Sequence, residues 1–381
     1  MRVFLIAGEP SGDRLGAAVM AGLRWLRPEV EFDGIGGDLM ARQGLRSRFP
    51  MSELSVMGLA EVLPRLPALL RRRDEAVRAV LDWHPDVLLT VDAPDFGLRV
   101  AKAVKARAPG VRTVHYVAPT VWAWRPGRAR RMAPYVDQVL ALFPFEPPLM
   151  EAAGVACDFV GHPVAAEPVA TDEEARAFRE AHGIGGAPLV LALPGSRASE
   201  VERLSGTFGE ALGLLARGRP GLRVVLPAAG PVADLVRERV AGWPIPPIIV
   251  DPSDDPQGAA KRAAFRAADA ALAASGTVSL ELAAAGTPMV VAYDMAWLTW
   301  QAMRRMVRLD TVTLVNIVSG TRAVPEFLGP ACRSGPIAEG LARVLAAPGE
   351  QRKAMRVTME RLGAGGERPG LRAARAILSR L

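Results

Sequence analysis

Cysteine is nearly missing from this chain of 381 residues: Cys157 and Cys332 stand alone, far apart and in no CxxC pattern. That excludes a disulfide framework and a thiolate metal site, and leaves buried, inert cytosolic thiols as the expectation. Histidine is almost as scarce. His84, His115, His162 and His182 show no metal-ligand spacing such as HExxH, so no metal is expected. No apolar run reaches the ~18 residues that a membrane-spanning helix needs. The opening stretch, Met1 to Gly8, is apolar but short, and it runs into Glu9 and Asp13 with no cleavage-type site. It reads as a first strand and not a signal peptide, which places the protein in the cytoplasm.

Lysine is also rare, with only Lys102, Lys105, Lys261 and Lys353, so the net charge of +7 is carried by arginine. Such an excess attracts phosphates or an anionic membrane surface. Arginine-rich codon usage would give the same total, so local clusters say more than the sum. Two stand out, Arg71-Arg72-Arg73 and the stretch from Arg125 to Arg131.

Half of the residues are hydrophobic, and 381 residues exceed one ordinary core, so a globular chain of two domains is expected. Apolar strand patterns alternate with helical ones in each half, joined by the short connections of an α/β fold. The expected strands of the first half are 3–7, 31–35, 87–91, 111–117, 138–142 and 158–160. Expected helices include 12–25, 66–83 and 98–107. Around 163–171 the pattern breaks into a proline- and alanine-rich linker, after which strands are expected at 189–193, 223–227, 247–250, 270–273 and 289–292. The tail from Pro369 reads as a helix with Leu371, Ala374, Ile377, Leu378 and Leu381 on one face. The fold class is therefore α/β, two doubly wound Rossmann-like domains facing each other across a cleft. In such sheets ligands gather at the carboxyl ends of the strands.

The chain is organised around Leu193-Pro194-Gly195-Ser196-Arg197-Ala198-Ser199-Glu200. A strand feeding a Gly-Ser-Arg turn and then a helix is an anion cradle: N–H groups point outward, the helix dipole favours negative charge, and Arg197 adds a forked cation. A second cradle follows at Ser275-Gly276-Thr277, with Glu281 one turn into its helix, in reach of a ribose hydroxyl pair. Two phosphate-friendly turns in one half point to a nucleotide-sugar enzyme.

In the first half, Gly8-Glu9-Pro10-Ser11-Gly12-Asp13 leaves the first strand, with Ser11 or Asp13 suited to capping the helix and Glu9 facing a cleft. Asp92-Ala93-Pro94-Asp95 leaves another strand. Asp92 is the expected general base, and Asp95 the expected cap of the next helix. Trp122, Trp124, Arg125 and Arg128 lie in one loop, suited either to an acceptor with apolar tails and a phosphate or to simple packing. The stretch holding Val56, Met57, Leu59 and Leu63, followed by the arginines at 71–73, would dip into a bilayer if exposed; core packing is the other reading.

With these motifs assembled, the chain resembles the lipid A disaccharide synthase family of GT-B glycosyltransferases. The resemblance runs nearly end to end. It is carried by GEPSGD (8–13), SVMGLAEVLP (55–64), DAPDFG (92–97), YVAPTVWAWRPGR (116–128), LFPFEP (142–147), FVGHP (159–163), LPGSR with Glu200, SGTVSLE (275–281), PMVVAY (288–293) and VNIVSG (315–320).

It implies that UDP-2,3-diacylglucosamine donates its sugar to 2,3-diacylglucosamine 1-phosphate, giving a β-1,6 disaccharide 1-phosphate and UDP by inversion. Asp92 would be the base, with Glu9 as a second catalytic carboxylate. Ser196, Arg197, Ser275, Gly276, Thr277, Glu281 and Asn316 would hold UDP. No cofactor or metal is implied. Residues 1–165 would bind acceptor and membrane, 166–365 the donor, and 366–381 would pack back on the first domain. The enzyme would sit on the inner face of the inner membrane, against anionic lipids and with no nucleic acid. His162 in the FVGHP stretch is read first as a hinge residue and second as a site contact. One departure is Gly329, where the family often has glutamine, so no ligand contact is placed there.

Two rival readings remain. Another GT-B enzyme acting on UDP-N-acetylglucosamine, a peptidoglycan-type transferase or a 2-epimerase, would keep the uridine pocket and lack a use for the apolar, basic stretch at 56–73. A nucleic-acid-binding protein would fit the charge, but aromatics are only 6% and no recognised module is present. Oligomeric state, a homodimer included, is left open.

Overall fold

The computed structural model describes residues 1–54, 59–120, 127–295, 300–301 and 310–381, with the side chains of 59–64 left out. The chain forms two compact units. Met1–Ala166 together with Leu362–Leu381 make the first, and Glu167–Arg361 the second.

Each unit is built on a six-stranded parallel sheet. In the first, β1 (Arg2–Ala7), β2 (Glu31–Ile35), β3 (Val87–Val91), β4 (Arg112–Tyr116), β5 (Gln138–Ala141) and β6 (Ala156–Phe159) are ordered 2-1-3-4-5-6. In the second, β7 (Leu189–Leu193), β8 (Arg223–Pro227), β9 (Ile248–Val250), β10 (Ala270–Ala273), β11 (Met289–Tyr293) and β12 (Glu326–Leu328) are ordered 12-11-10-7-8-9. Central strands such as Val-Leu-Leu-Thr-Val and Leu-Val-Leu-Ala-Leu are buried along their whole length. Helices cover both faces of a parallel sheet, so these strands show as nearly continuous apolar runs and not as alternation.

The strand order reverses between β1 and β3 in the first unit and between β7 and β10 in the second. Where neighbouring connections leave a sheet in opposite directions, a crevice opens at the carboxyl ends of the strands. The four turns singled out in the sequence follow these four strands. GEPSGD leaves β1, DAP leaves β3, PGSR leaves β7 and SGT leaves β10.

Three features differ from the sequence expectation. The helix expected at 66–83 is Leu59–Trp83 and runs through Pro64 and Pro67. β12 was not foreseen: three half-buried residues give no apolar run. The last helix, Pro369–Leu378, buries Gly370, Ala373, Ala374 and Ile377, while Leu381 is exposed. It packs on Pro10–Leu26 through small residues. A Cβ on Gly22 would stand 2.7 Å from the Gly370 carbonyl oxygen, and one on Gly370 would stand 2.6 Å from that of Ala18. The expected leucine stripe yields to a close backbone approach that only glycine allows.

Candidate functional site

The first unit's turn is set by backbone strain. Asp92 and Ala93 both occupy left-handed conformations, at φ +52° and +37°. Such residues cost of the order of 1–3 kcal/mol each and persist where their surroundings over-determine them. Here the Asp92 N–H donates to the Tyr116 carbonyl at 2.9 Å. Pro94 then opens the helix Pro94–Arg107. The glycines of GEPSGD give this turn its clearance: a Cβ on Gly8 would meet the Ala93 Cβ at 3.0 Å, and one on Gly12 the Val91 oxygen at 3.0 Å.

Ser11 donates its hydroxyl to Asp92 Oδ2 at 2.8 Å, so two motifs 81 residues apart meet at one carboxylate. Ser11 therefore caps nothing. Asp13 does not cap its own helix either. Buried, it accepts from the N–H groups of Gly37 (2.9 Å), Leu39 (2.9 Å) and Met40 (3.0 Å), closing the start of the helix Asp38–Arg42. Glu9 is half-buried at the head of Pro10–Leu26, and its carbonyl accepts from the Asp13 N–H at 2.9 Å.

Beside this turn, Arg128 reaches Asp95 Oδ1 at 3.0 Å, so that arginine is tied to the first turn of Pro94–Arg107. His115 lies buried on β4 with Nδ1 2.8 Å from the Thr90 hydroxyl. Burial, and then the Arg128 charge, push its imidazole down to about 4. His162, at the FVGHP stretch, is likewise pushed down to about 4 by burial, and its Nδ1 accepts from the Val164 N–H at 3.2 Å. Val56, Met57, Trp122, Trp124 and Arg125 lie outside the described residues, as do the side chains of Leu59 and Leu63.

In the second unit, Gly195 takes φ +123° in the turn after β7, and the helix Ala198–Arg217 begins directly beyond Arg197. The Ser196 N–H donates to Glu200 Oε2 at 3.1 Å, and Arg197 Nη1 to Glu200 Oε1 at 3.2 Å. After β10, Ser275, Gly276 and Thr277 lead into the helix Val278–Ala285, whose first turn Thr277 leaves uncapped by its side chain. Space around Gly276 is open, with nothing within 4 Å of a Cβ placed there. Glu281 accepts from Lys261 Nζ at 2.6 Å. Tyr293, at the end of β11, has its phenol pushed up by burial and then by Glu200. It lies within the field of the Gly-Ser-Arg turn, which its place in the sequence did not reveal.

Asn316, expected to hold UDP, makes its bonds within the second unit. It is buried, and its amide is spent internally: Nδ2 donates to Thr311 Oγ1 (3.2 Å) and the Val324 carbonyl (2.9 Å), while Oδ1 accepts from the Val324 N–H (3.0 Å). Its role is to hold the helix Leu314–Ser319 to the segment before β12. Among the described residues, no group of three or more His, Cys, Asp or Glu is gathered where it could hold a metal ion. No helix among them is long and apolar enough to cross a membrane.

Two doubly wound units with loaded turns at both switch points define the GT-B class of enzymes. Solved structures share this fold at low identity. UDP-GlcNAc 2-epimerase from Neisseria meningitidis, bound to UDP-GlcNAc, matches with a TM-score of 0.62 at 12% identity, covering 100% of this chain and 99% of that one. Anabaena Alr3699/HepE in complex with UDP and glucose matches with a TM-score of 0.58 at 14% identity, covering 100% and 99%.

Within that class the sequence is more particular. The family model described as lipid-A-disaccharide synthetase matches residues 3–378. A lipid-A-disaccharide synthase of Ruegeria pomeroyi is 62% identical over 384 residues, covering 100% of this chain and 96% of the relative. One of Rhodospirillum centenum is 47% identical, covering 99% and 94%. The chain belongs to the lipid-A-disaccharide synthase family, glycosyltransferases of lipid A biosynthesis.

Proposed function

We propose that this enzyme transfers the sugar of UDP-2,3-diacylglucosamine to the 6-hydroxyl of 2,3-diacylglucosamine 1-phosphate, with inversion at the anomeric carbon. The observation that carries this reading is the 62% identity, over the whole chain, to a relative named for the disaccharide product. The acceptor oxygen bonds to the anomeric carbon as the bond to the β-phosphate breaks. The hydroxyl proton passes to Asp92, and the electron pair leaves with UDP. A base near a bound hydroxyl contributes ~10²–10⁴-fold. Asp92 suits the role because its strained turn fixes the carboxylate and Ser11 holds one of its oxygens, leaving Oδ1 for the hydroxyl. Glu9, half-buried at the end of β1, is the second carboxylate of this site.

UDP is taken up in the second unit. Ser196 and Arg197 meet the diphosphate, Ser275, Gly276 and Thr277 offer N–H groups at a helix start, and Glu281 reaches the ribose. A neighbour of the same fold was solved with UDP-GlcNAc, which supports a UDP-sugar as donor. Donors aimed at developing charge stabilise a leaving anion more than they stabilise the ground state. The acyl chains of both substrates place the enzyme at the cytoplasmic face of the inner membrane. There the stretch from Val56 to Leu63 enters the lipid, Arg71 meets anionic headgroups while Arg72 and Arg73 are paired with Glu53, Glu75 and Asp74, and Trp122, Trp124, Arg125 and Arg128 receive the acceptor. Replacing Val56, Leu59 and Leu63 with serine should release the protein from anionic vesicles; undiminished co-sedimentation would place the membrane contact elsewhere.

The deciding experiment is UDP release from the diacylated donor, with and without diacylglucosamine 1-phosphate. Release only with both present, and a disaccharide phosphate as product, is expected. Turnover of unacylated UDP-N-acetylglucosamine in place of that pair would keep the fold and overturn the lipid substrates.

A further inference from the structure

We propose that Glu200 is the positioning residue for Arg197, aiming the guanidinium at the diphosphate; the proposal rests on the reading of Arg197 given above. Arg197 is 63% exposed at its side chain, whereas Glu200 is 10% exposed. A long, exposed arginine samples many rotamers, so a fixed partner decides where its fork points.

Glu200 is fixed from the backbone side. Its Oε2 takes the Ser196 N–H at 3.1 Å, and its carboxylate lies in the hollow that Gly195 leaves. A Cβ at that position would stand 2.4 Å from Oε2 and 2.5 Å from the Glu200 Cβ, so any side chain on Gly195 would evict it. The other oxygen, Oε1, holds Arg197 through Nη1 alone, at 3.2 Å. The Nε–Nη2 edge of the guanidinium remains for a second, bidentate partner, and two phosphate oxygens match that edge.

Charge around the turn fits the same arrangement. Arg203 approaches Asp294 at 3.7 Å, and the Tyr293 phenol feels Glu200, Arg197 and Arg203 together. As a stabiliser, a pair whose arginine is mostly exposed counts for little. As an anchor, it sets the direction of the one flexible cation in the turn.

The test is calorimetric binding of UDP and of uridine to wild type, Glu200→Gln, Arg197→Ala and the double variant. Glutamine keeps the shape and the acceptor for Ser196 but not the charge that holds Arg197. Glu200→Gln should weaken UDP by about tenfold, the scale of one charge-assisted hydrogen bond, while uridine affinity stays unchanged. In the Arg197→Ala background, Glu200→Gln should have no further effect on UDP. Equal losses for UDP and uridine, or a double variant weaker than Arg197→Ala, would show that Glu200 acts only through the fold of the turn. Unaltered UDP affinity in Glu200→Gln would remove the positioning role by itself. Unaltered affinity in Arg197→Ala would instead overturn the placement of the diphosphate, and this proposal with it.

Discussion

The Ser11 hydroxyl donates to Asp92 Oδ2 at 2.8 Å, joining the turn after β1 to the turn after β3 across the point where the strand order reverses. A carboxylate that must take a proton in one oxygen's direction gains from having the other oxygen held. Ser11→Ala should therefore lower kcat by about tenfold, the scale of one hydrogen bond to a charged group, with KM for both substrates unchanged. Ser11→Thr should restore most of the loss. An alanine variant with full kcat would show that the strained turn alone orients Asp92.

Asp92→Asn keeps the size of the side chain and removes its ability to take a proton. Turnover should fall by ~10²–10⁴-fold while UDP affinity, which the proposed function assigns to the second unit, holds. Activity near wild type would pass the role of base to Glu9 or Asp95.

His115 predicts acid sensitivity. Burial pushes its imidazole down to about 4 in the folded protein, against about 6.5 in an unfolded chain. Between those values the unfolded state binds a proton that the native state refuses, so stability rises with pH across the window. The contribution is whole above about pH 6.5 and lost as pH falls toward 4, with an upper bound of about 3 kcal/mol. Urea unfolding of wild type and His115→Gln from pH 7 to pH 4.5 should give a shallower slope for the variant. Parallel slopes would mean that His115 is not kept neutral by burial.

Gly370→Val should destabilise the first unit, because its Cβ would be pressed to 2.6 Å from the Ala18 carbonyl oxygen. Overpacking of this kind costs about 1–3 kcal/mol. Gly110→Ala, with nothing within 4 Å of its Cβ, is the comparison. Equal melting temperatures for the two variants would show that the terminal helix separates without loss of the unit.

Much of this architecture is legible in the sequence for one physical reason. Strands buried on both faces, such as Val87–Val91 and Leu189–Leu193, are almost wholly apolar, and the turns that follow them carry most of the polar chemistry. What escaped depends on partners that sequence distance hides. Ser11 and Asp92 become neighbours only once β1 and β3 lie side by side. The bonds of Asn316 are hidden until Val324 returns to meet both ends of its amide. β12, at three residues, carries no pattern to read. The terminal helix looked leucine-faced because nothing in its own sequence shows that Gly22 and Gly370 let two backbones nearly touch.

Leu362–Leu381 belongs to the same unit as Met1–Ala166, which has a consequence for the order of synthesis. A chain leaving the ribosome makes the whole of Glu167–Arg361 before it supplies the helix that covers Pro10–Leu26. The continuous unit has all of its residues by then, whereas the first-made unit waits, with the seat of Gly370 and Ala374 bare, until 362–381 emerge. A stop within 362–381 thus removes part of the first unit and leaves every residue of the second in place.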